Sequence, residues 1–216
     1  MTAAELIGAY PRLYHMAEEG TWASIRRHGL LSTSALLDLF EVHGARRSAI
    51  ETKRRPETVT LDHSTHGRAI IRDNKPMSDA GLRKCLVGMT PEDWYRLLNS
   101  KVFFWVSRER LERLLAARAY RGRRHCVITV ETEALIARES ENITLSAINS
   151  GCTLFRPPKR GPFTFIPIAD YPTGNRAASI VELAVEHAVT DVDRVAVSAF
   201  HAGHGQPSEH IWTKPR

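Results

Sequence analysis

Apolar positions divide the chain into two regimes. Early on they recur at helical spacing. The stretch TWASIRRHGLL predicts a short helix from Trp22 to His28, closed by Gly29 as its C-cap. TSALLDLFEVHG predicts a second helix that ends at Gly44. MTPEDWYRLLNSK carries strong start signals. Thr90 can cap, Pro91 suits the first turn, and Glu92 and Asp93 sit at the positive end of the dipole. Ser107 caps a further helix in RERLERLLAARAY, where Leu111, Leu114 and Leu115 make one apolar face. KVFFWV, between these two helices, reads as a strand from its β-branched and aromatic content. In the second half the apolar runs shorten. HCVITVE, NITLSAI, TFIPI, SIVELAV and DRVAVSAF read as strands separated by polar, Gly or Pro segments. LYHM near the N-terminus adds one more. Residues 45–75 are polar without a clear period and read mostly as loop.

Helices concentrated early and strands late predict an α+β fold with an antiparallel-rich sheet, rather than alternating βαβ units. With 216 residues and 43% hydrophobic content, one domain spanning 1–216 is expected, and its Gly-rich end, 201–216, is a candidate mobile tail. No window is long and apolar enough to span a bilayer. MTAAELIGAY lacks the basic region, apolar run and cleavage site of a secretory signal. A cytoplasmic protein with no membrane partner is therefore expected. The three cysteines, Cys85, Cys126 and Cys152, are far apart, which argues against a disulfide framework or a cysteine zinc site.

Charge sharpens the picture. The net charge of +6 favours polyanions, either nucleic acid or the pyrophosphate of a nucleotide. The cations cluster in GARRSAIETKRRPE, ARAYRGRRH and FRPPKRGP, and the last run contributes Arg156, Lys159 and Arg160. Each cluster is equally compatible with a solvated face. Neither G-x-G-x-x-G nor G-x-x-x-x-G-K occurs, so no dinucleotide-fold fingerprint or P-loop is supported. His63 and His66, and His201, His204 and His210, lie close in sequence but match no metal-binding spacing, so no metal is expected.

Glu182 is the most informative candidate, a carboxylate inside the apolar run SIVELAV. Strand alternation would put Val181, Leu183 and Val185 on one face and Ile180, Glu182 and Ala184 on the other. Glu182 is then either an exposed residue of an outward face or a carboxylate lining a cleft. Desolvation in such a cleft costs several kcal/mol unless the group is paired. His15 in LYHM and the aromatic Phe103 and Phe104 have ordinary core readings when taken singly. Ser146 and Asn149 in SAINSG could reach a ligand or simply form a turn.

Taken in order, three stretches resemble the ADP-ribosyltransferase superfamily. LYHM followed by a helix ending in GLL is similar to its first motif. VFFW is similar to the aromatic second motif, and IVELAV to the strand bearing the catalytic Glu. The nearest branches are DNA-modifying toxins, where an aromatic strand runs into a Ser-Arg pair (here Ser107 and Arg108), and RNA 2′-phosphotransferases. The rest of the chain resembles bacterial proteins outside those branches.

The resemblance implies a split β core with NAD bound in the cleft, as co-substrate of a glycosyltransferase-class enzyme. It implies that His15 hydrogen-bonds a ribose hydroxyl, with Tyr14 and Met16 beside it and Met16 offering backbone groups to the nicotinamide amide. Phe103 or Phe104 would stack on the ring, and Arg108 would meet the pyrophosphate. Glu182 would stabilise the ribosyl cation, the same charge problem as in glycoside hydrolysis.

Two departures matter. The family's second-motif Tyr is a Phe here. Ile180 stands where many arginine-modifying members carry Glu or Gln, which disfavours arginine as acceptor. The basic, aromatic loop FRPPKRGPFTFIPIADYPTGNRAAS suits a nucleic acid acceptor, DNA or RNA, contacted by Arg156, Lys159 and Arg160. An antitoxin or hydrolase partner would accompany a toxin-like enzyme. The alternatives are an RNA 2′-phosphotransferase-like enzyme and a non-catalytic nucleic-acid-binding module.

Overall fold

The computed structural model describes residues 1–174 and 179–215. The first half contains α1 (Ala3–Ala9), β1 (Arg12–Glu18), α2 (Trp22–His28), β2 (Leu30–Leu31), α3 (Thr33–Leu39), α4 (Gly44–Thr52), β3 (Val59–His63), β4 (Gly67–Ile71), α5 (Asp79–Cys85), α6 (Pro91–Asn99), β5 (Lys101–Trp105) and α7 (Arg108–Leu115). The second half contains β6 (His125–Glu131), α8 (Thr132–Glu139), β7 (Ile143–Ser146), β8 (Ile166–Pro167), β9 (Glu182–Glu186), β10 (Ala188–Val189), α9 (Val192–Val195), β11 (Ala196–Ala202) and β12 (Glu209–Thr213).

Eight strands form an antiparallel sheet in the order β12-β11-β6-β1-β5-β9-β7-β8. The fold is α+β. Local chemistry sets the helix ends that flank the sheet. Thr90 and Asp93 form a reciprocal capping box at the start of α6, and Pro91 occupies its first turn. Ser107 caps α7 through the Arg110 amide. Gly29 closes α2 at φ +90°, and a Cβ there would meet the Val189 carbonyl oxygen at 2.7 Å, so only glycine fits.

The main core lies on one face of the sheet. Leu13, Phe104, Ile128, Val130, Leu183 and Val185 pack there against Leu6 of α1, Leu135 of α8 and Val192 of α9. A second cluster, Met77, Leu82, Trp94, Tyr95, Phe165 and Ala184, fills the space under α5 and α6. Leu183 and Ala184 thus separate two cores, which is the alternation expected of a strand buried on both sides.

Four readings of the pattern need correction. The polar segment 45–75 is not mostly loop: it holds α4 and the β3–β4 hairpin. These bury few side chains each (Ile50, Leu61, Ala69 and Ile71), which join Leu37, Phe40 and Val42 in a small separate core. So few apolar positions leave no readable period. α3 ends at Leu39, and Gly44, at φ +60°, opens α4 rather than closing α3. Alternation in SIVELAV holds only from Glu182 onward, where β9 begins. Ahead of it the chain is not a strand: Ile180 enters the main core with Leu183, and Val181 joins Glu182 on a cavity wall. The segment DRVAVSAF also opens as a helical turn, α9, before β11. At the C-terminal end, β12 pairs with β11, with Ser198 opposite Thr213.

Candidate active site

The sheet is nearly parted in its middle. β1 runs along β6 over its full length, from Arg12↔Glu131 to Glu18↔His125. β5 runs along β9 from Lys101↔Glu186 to Trp105↔Glu182. Between them, β1 and β5 share a single pair, Tyr14↔Trp105. Beyond that pair a cavity of about 830 Å³ opens, toward the upper end of the range for small-molecule sites. His15 spans the parting. Its Nδ1 lies 2.9 Å from the Phe103 carbonyl oxygen.

Glu182 stands at the first residue of β9, directly opposite Trp105 on one side and Ser146 on the other. Tyr14, Trp105 and Glu182 thus form a row across three adjacent strands, roughly 10 Å from end to end at normal strand spacing. Glu182 is only 5% exposed. One of its oxygens, Oε2, accepts from the Ser150 amide (3.1 Å) and the Ser150 hydroxyl (2.6 Å). The other has no protein donor among the described residues, and Glu182 lines the cavity. Burial raises its pKa to about 7, against the opposing pull of Ser150, Arg160 and Arg110. The carboxylate is therefore held at one oxygen, available at the other, and poised near neutrality.

His15 is neutral. Burial pushes its pKa down to about 4, more than the Phe103 hydrogen bond can offset. A carbonyl can only accept, so Nδ1 carries the proton and Nε2 keeps a lone pair. Nε2 has no protein partner among the described residues, and the ring lines the cavity. It can accept a hydrogen bond from a ligand hydroxyl.

The aromatic strand contributes differently from the expectation. Phe103 and Trp105 alternate onto the same face as Glu182, and both are half-buried on the cavity wall. Phe104 lies in the main core with Leu183 and meets the cavity only as a nearly fully buried side chain. The flat surface beside Glu182 is therefore Phe103 and Trp105. Trp105 was not singled out in the sequence, although the period of two beginning at Phe103 points to it.

Cations line the cavity as well. Arg110, Arg113 and Arg118 line it from α7 and the turns that follow, with Leu114 and Ala117 between them. Arg110, Arg113 and Leu114 share one face of α7, and Ala117 and Arg118 follow in the turns beyond its end at Leu115. Arg110 and Arg118 have no ion-pair partner among the described residues, whereas Arg113 meets Glu109 at 3.0 Å. Arg72 and Lys75 also line it, but each is ion-paired, Arg72 with Glu18 and Lys75 with Glu57, both at 3.4 Å. Arg108 lies off the Arg110–Arg113 face and outside the lining. It pairs with Glu112 (3.2 Å) and sits over the Phe200 ring.

The other sequence candidates fall in several places. Met16 lines the cavity, but its carbonyl already accepts from Arg72 (3.2 Å). Tyr14 packs with Met16 and Leu111 behind that wall. Asn149 lines the cavity. Ser146 is buried, and its hydroxyl is engaged with the backbone of Ile148. Its neighbour Ser150, which holds Glu182, carries no sequence signal beyond ordinary turn chemistry. Arg156 and Lys159 are exposed, and Lys159 donates to the Lys84 carbonyl (3.4 Å).

Arg160 is not on the surface with them but fully buried. Its guanidinium lies over Trp94 and donates to the Ser150 carbonyl (2.9 Å). It acts as a strut behind the carboxylate, not as a contact for an outside partner. Residues 175–178 of the long basic loop fall outside the described residues.

Among the described residues, no helix is long and apolar enough to cross a membrane. No curated protein and no solved structure matches the chain significantly. Over residues 11–196, which take in the His15 strand, the aromatic strand and Glu182, the chain matches DUF7002, a family of unknown function, and it belongs to that family.

Proposed function

We propose that this protein is an NAD-dependent mono-ADP-ribosyltransferase on an ADP-ribosyltransferase-like split β core, with nucleic acid as the favoured acceptor. The observation that carries the reading is Glu182. It is a buried carboxylate with one oxygen tethered by Ser150 and the other free, in a cavity shared with the neutral His15 and the Phe103–Trp105 wall.

The residues present fit a dinucleotide. The cavity is large enough, Phe103 and Trp105 offer flat surfaces for an aromatic ring, and Arg110 and Arg118 offer unpaired cations for a pyrophosphate. On this assignment Arg110, not Arg108, takes the pyrophosphate. His15 Nε2 accepts from a ribose hydroxyl. When the ribose–nicotinamide bond breaks, its electron pair leaves with the nicotinamide ring and positive charge develops on the sugar. The Glu182 carboxylate, fixed beside that charge where little water competes, stabilises it. The free oxygen can also take the acceptor's proton as the new bond forms. Because the ionised form is the working one, activity should rise with pH through about 7.

A second reading has its own support. The four arginines lining one cavity, Arg72, Arg110, Arg113 and Arg118, of which Arg110 and Arg118 have no ion-pair partner among the described residues, also suit a phosphorylated RNA substrate, as in transfer of an RNA 2′-phosphate to NAD. Incubating the protein with NAD and a panel of DNA, RNA, 2′-phosphorylated RNA and protein acceptors, read by mass spectrometry, separates the two. Gain of an ADP-ribosyl group on nucleic acid supports the first reading. Loss of phosphate from the RNA supports the second. An unchanged panel with unconsumed NAD would remove both.

A further inference from the structure

Among the described residues, the exposed large hydrophobic side chains are Val87, Leu154, Phe155 and Phe163, and all four belong to one pair of packed segments. The loop from Ser150 to Phe163 lies against the end of α5. Leu86 and Arg160 form a parallel bridge, and the Val87 amide donates to the Arg160 carbonyl (2.9 Å). The Thr153 hydroxyl accepts from the Ser78 amide (2.9 Å). At Gly161 an added Cβ would fall 2.4 Å from the Val87 oxygen and 3.0 Å from the Phe163 ring, so these two exposed residues flank the same glycine.

Phe155 is 96% exposed. It and Arg156 have φ of 53° and 55°, a backbone region that non-glycine residues enter at a cost. The neighbouring Leu154 lines the cavity with Ser150, which holds Glu182. The loop thus runs from the carboxylate to an aromatic ring standing in solvent.

The charge of these segments has one sign. Arg83, Lys84, Arg156 and Lys159 are all exposed. No Asp or Glu occurs between Asp79 and Glu92, or between Glu141 and Asp170. Exposed aromatic rings amid unopposed cations fit a polyanion that also presents flat apolar faces. Unpaired nucleic acid is such a ligand, because its bases are free to stack while its phosphates meet the cations. A duplex offers the phosphates but keeps its bases stacked inside.

We infer that the Leu154–Phe163 loop, together with the end of α5, is a platform for single-stranded nucleic acid, with Phe155 stacking on a base and Arg156 and Lys159 meeting the flanking phosphates. This deepens the acceptor side of the transferase reading and rests on it for the fate of the strand. Binding itself is measured without NAD, so failure of the platform and failure of the chemistry are separable.

The test is fluorescence anisotropy of the full chain with labelled short oligonucleotides: single-stranded DNA, single-stranded RNA, matched duplex, and polyglutamate as an acidic peptide control. Single strands should bind more tightly than duplex or polyglutamate. Phe155→Ala should weaken single-strand binding roughly five-fold or more, the usual loss for one stacked base, and Phe155→Trp should restore it. Arg156→Glu combined with Lys159→Glu should weaken it further and flatten its salt dependence by about 0.7 in log–log slope per lost phosphate contact. Circular dichroism checks that these exposed-loop variants remain folded. Single strands binding no better than duplex, or Phe155→Ala binding as the wild type does, would overturn the inference. Polyglutamate binding equally well and lost in the same variants would overturn it too, and would mark the surface as one for acidic protein.

Discussion

Replacing Glu182 by Gln should change the stability of this protein in a pH-dependent way. The carboxyl is 5% exposed, and burial raises its pKa from an ordinary 4.5 to about 7. The folded state therefore holds this proton more tightly than the unfolded chain does. Its favourable contribution is fully present below about pH 4.5 and is lost as pH rises through about 7. A rise from 4.5 to about 7 corresponds to about 3 kcal/mol of lost stability by mildly alkaline pH.

Gln has no proton to lose. Its carbonyl oxygen, placed where Oε2 stands, can accept from both Ser150 donors, but its amide group then replaces the free oxygen, so the exchange itself costs about 1 kcal/mol at any pH. Urea unfolding at about pH 4 should then find the variant about 1 kcal/mol less stable than wild type. At about pH 8 it should be about 2 kcal/mol more stable. His15 titrates in the opposite sense, since its folded pKa is depressed. It is present in both proteins and cancels in the difference. A stability difference between variant and wild type that is the same at both pH values would refute the claim that Glu182 is held buried at a strained charge.

Three further outcomes follow from the same geometry. Ser150→Ala removes the hydroxyl donor to Glu182 and should move the midpoint of the activity–pH profile in the alkaline direction by about one pH unit, read from nicotinamide release. Phe104→Ala should cost about 3–5 kcal/mol in thermal or urea unfolding, because that ring fills the main core, whereas Trp105→Ala on the cavity wall should lose activity at a smaller stability cost. Arg110→Ala should raise the KM for NAD about ten-fold with little change in unfolding, while Arg108→Ala, outside the cavity, should leave KM within about two-fold of wild type.

The elements that build the cavity walls carry dense local signals. Thr90, Pro91 and Asp93 announce α6, Ser107 announces α7, and the β-branched and aromatic run from Lys101 to Trp105 announces β5. The isolated carboxylate in an apolar run marks Glu182 for the same reason, since a strand buried on both faces has no cheap place for a charge. What stays hidden depends on pairing across long separations. Ser150 matters because of its position against Glu182, and no spacing within SAINSG distinguishes it from Ser146. Arg160 reads as a surface cation because the slot between Trp94 and the Ser150 carbonyl exists only once the chain is folded. The α4 and β3–β4 region hides for a different reason, since its small core needs too few apolar residues to set a period. Arg110 over Arg108 was legible in principle, since Arg110, Arg113 and Leu114 fall on one face of α7 and Arg108 does not.

The central claim is that Glu182 assists cleavage of the ribose–nicotinamide bond. It is tested most directly by measuring nicotinamide release from NAD by the wild-type protein and by Glu182→Gln, in the presence of single-stranded nucleic acid, across pH 5–9. The account predicts release by the wild type that rises through about pH 7 and falls by two or more orders of magnitude in the variant. No release by the wild type, or equal release by both proteins, would contradict it.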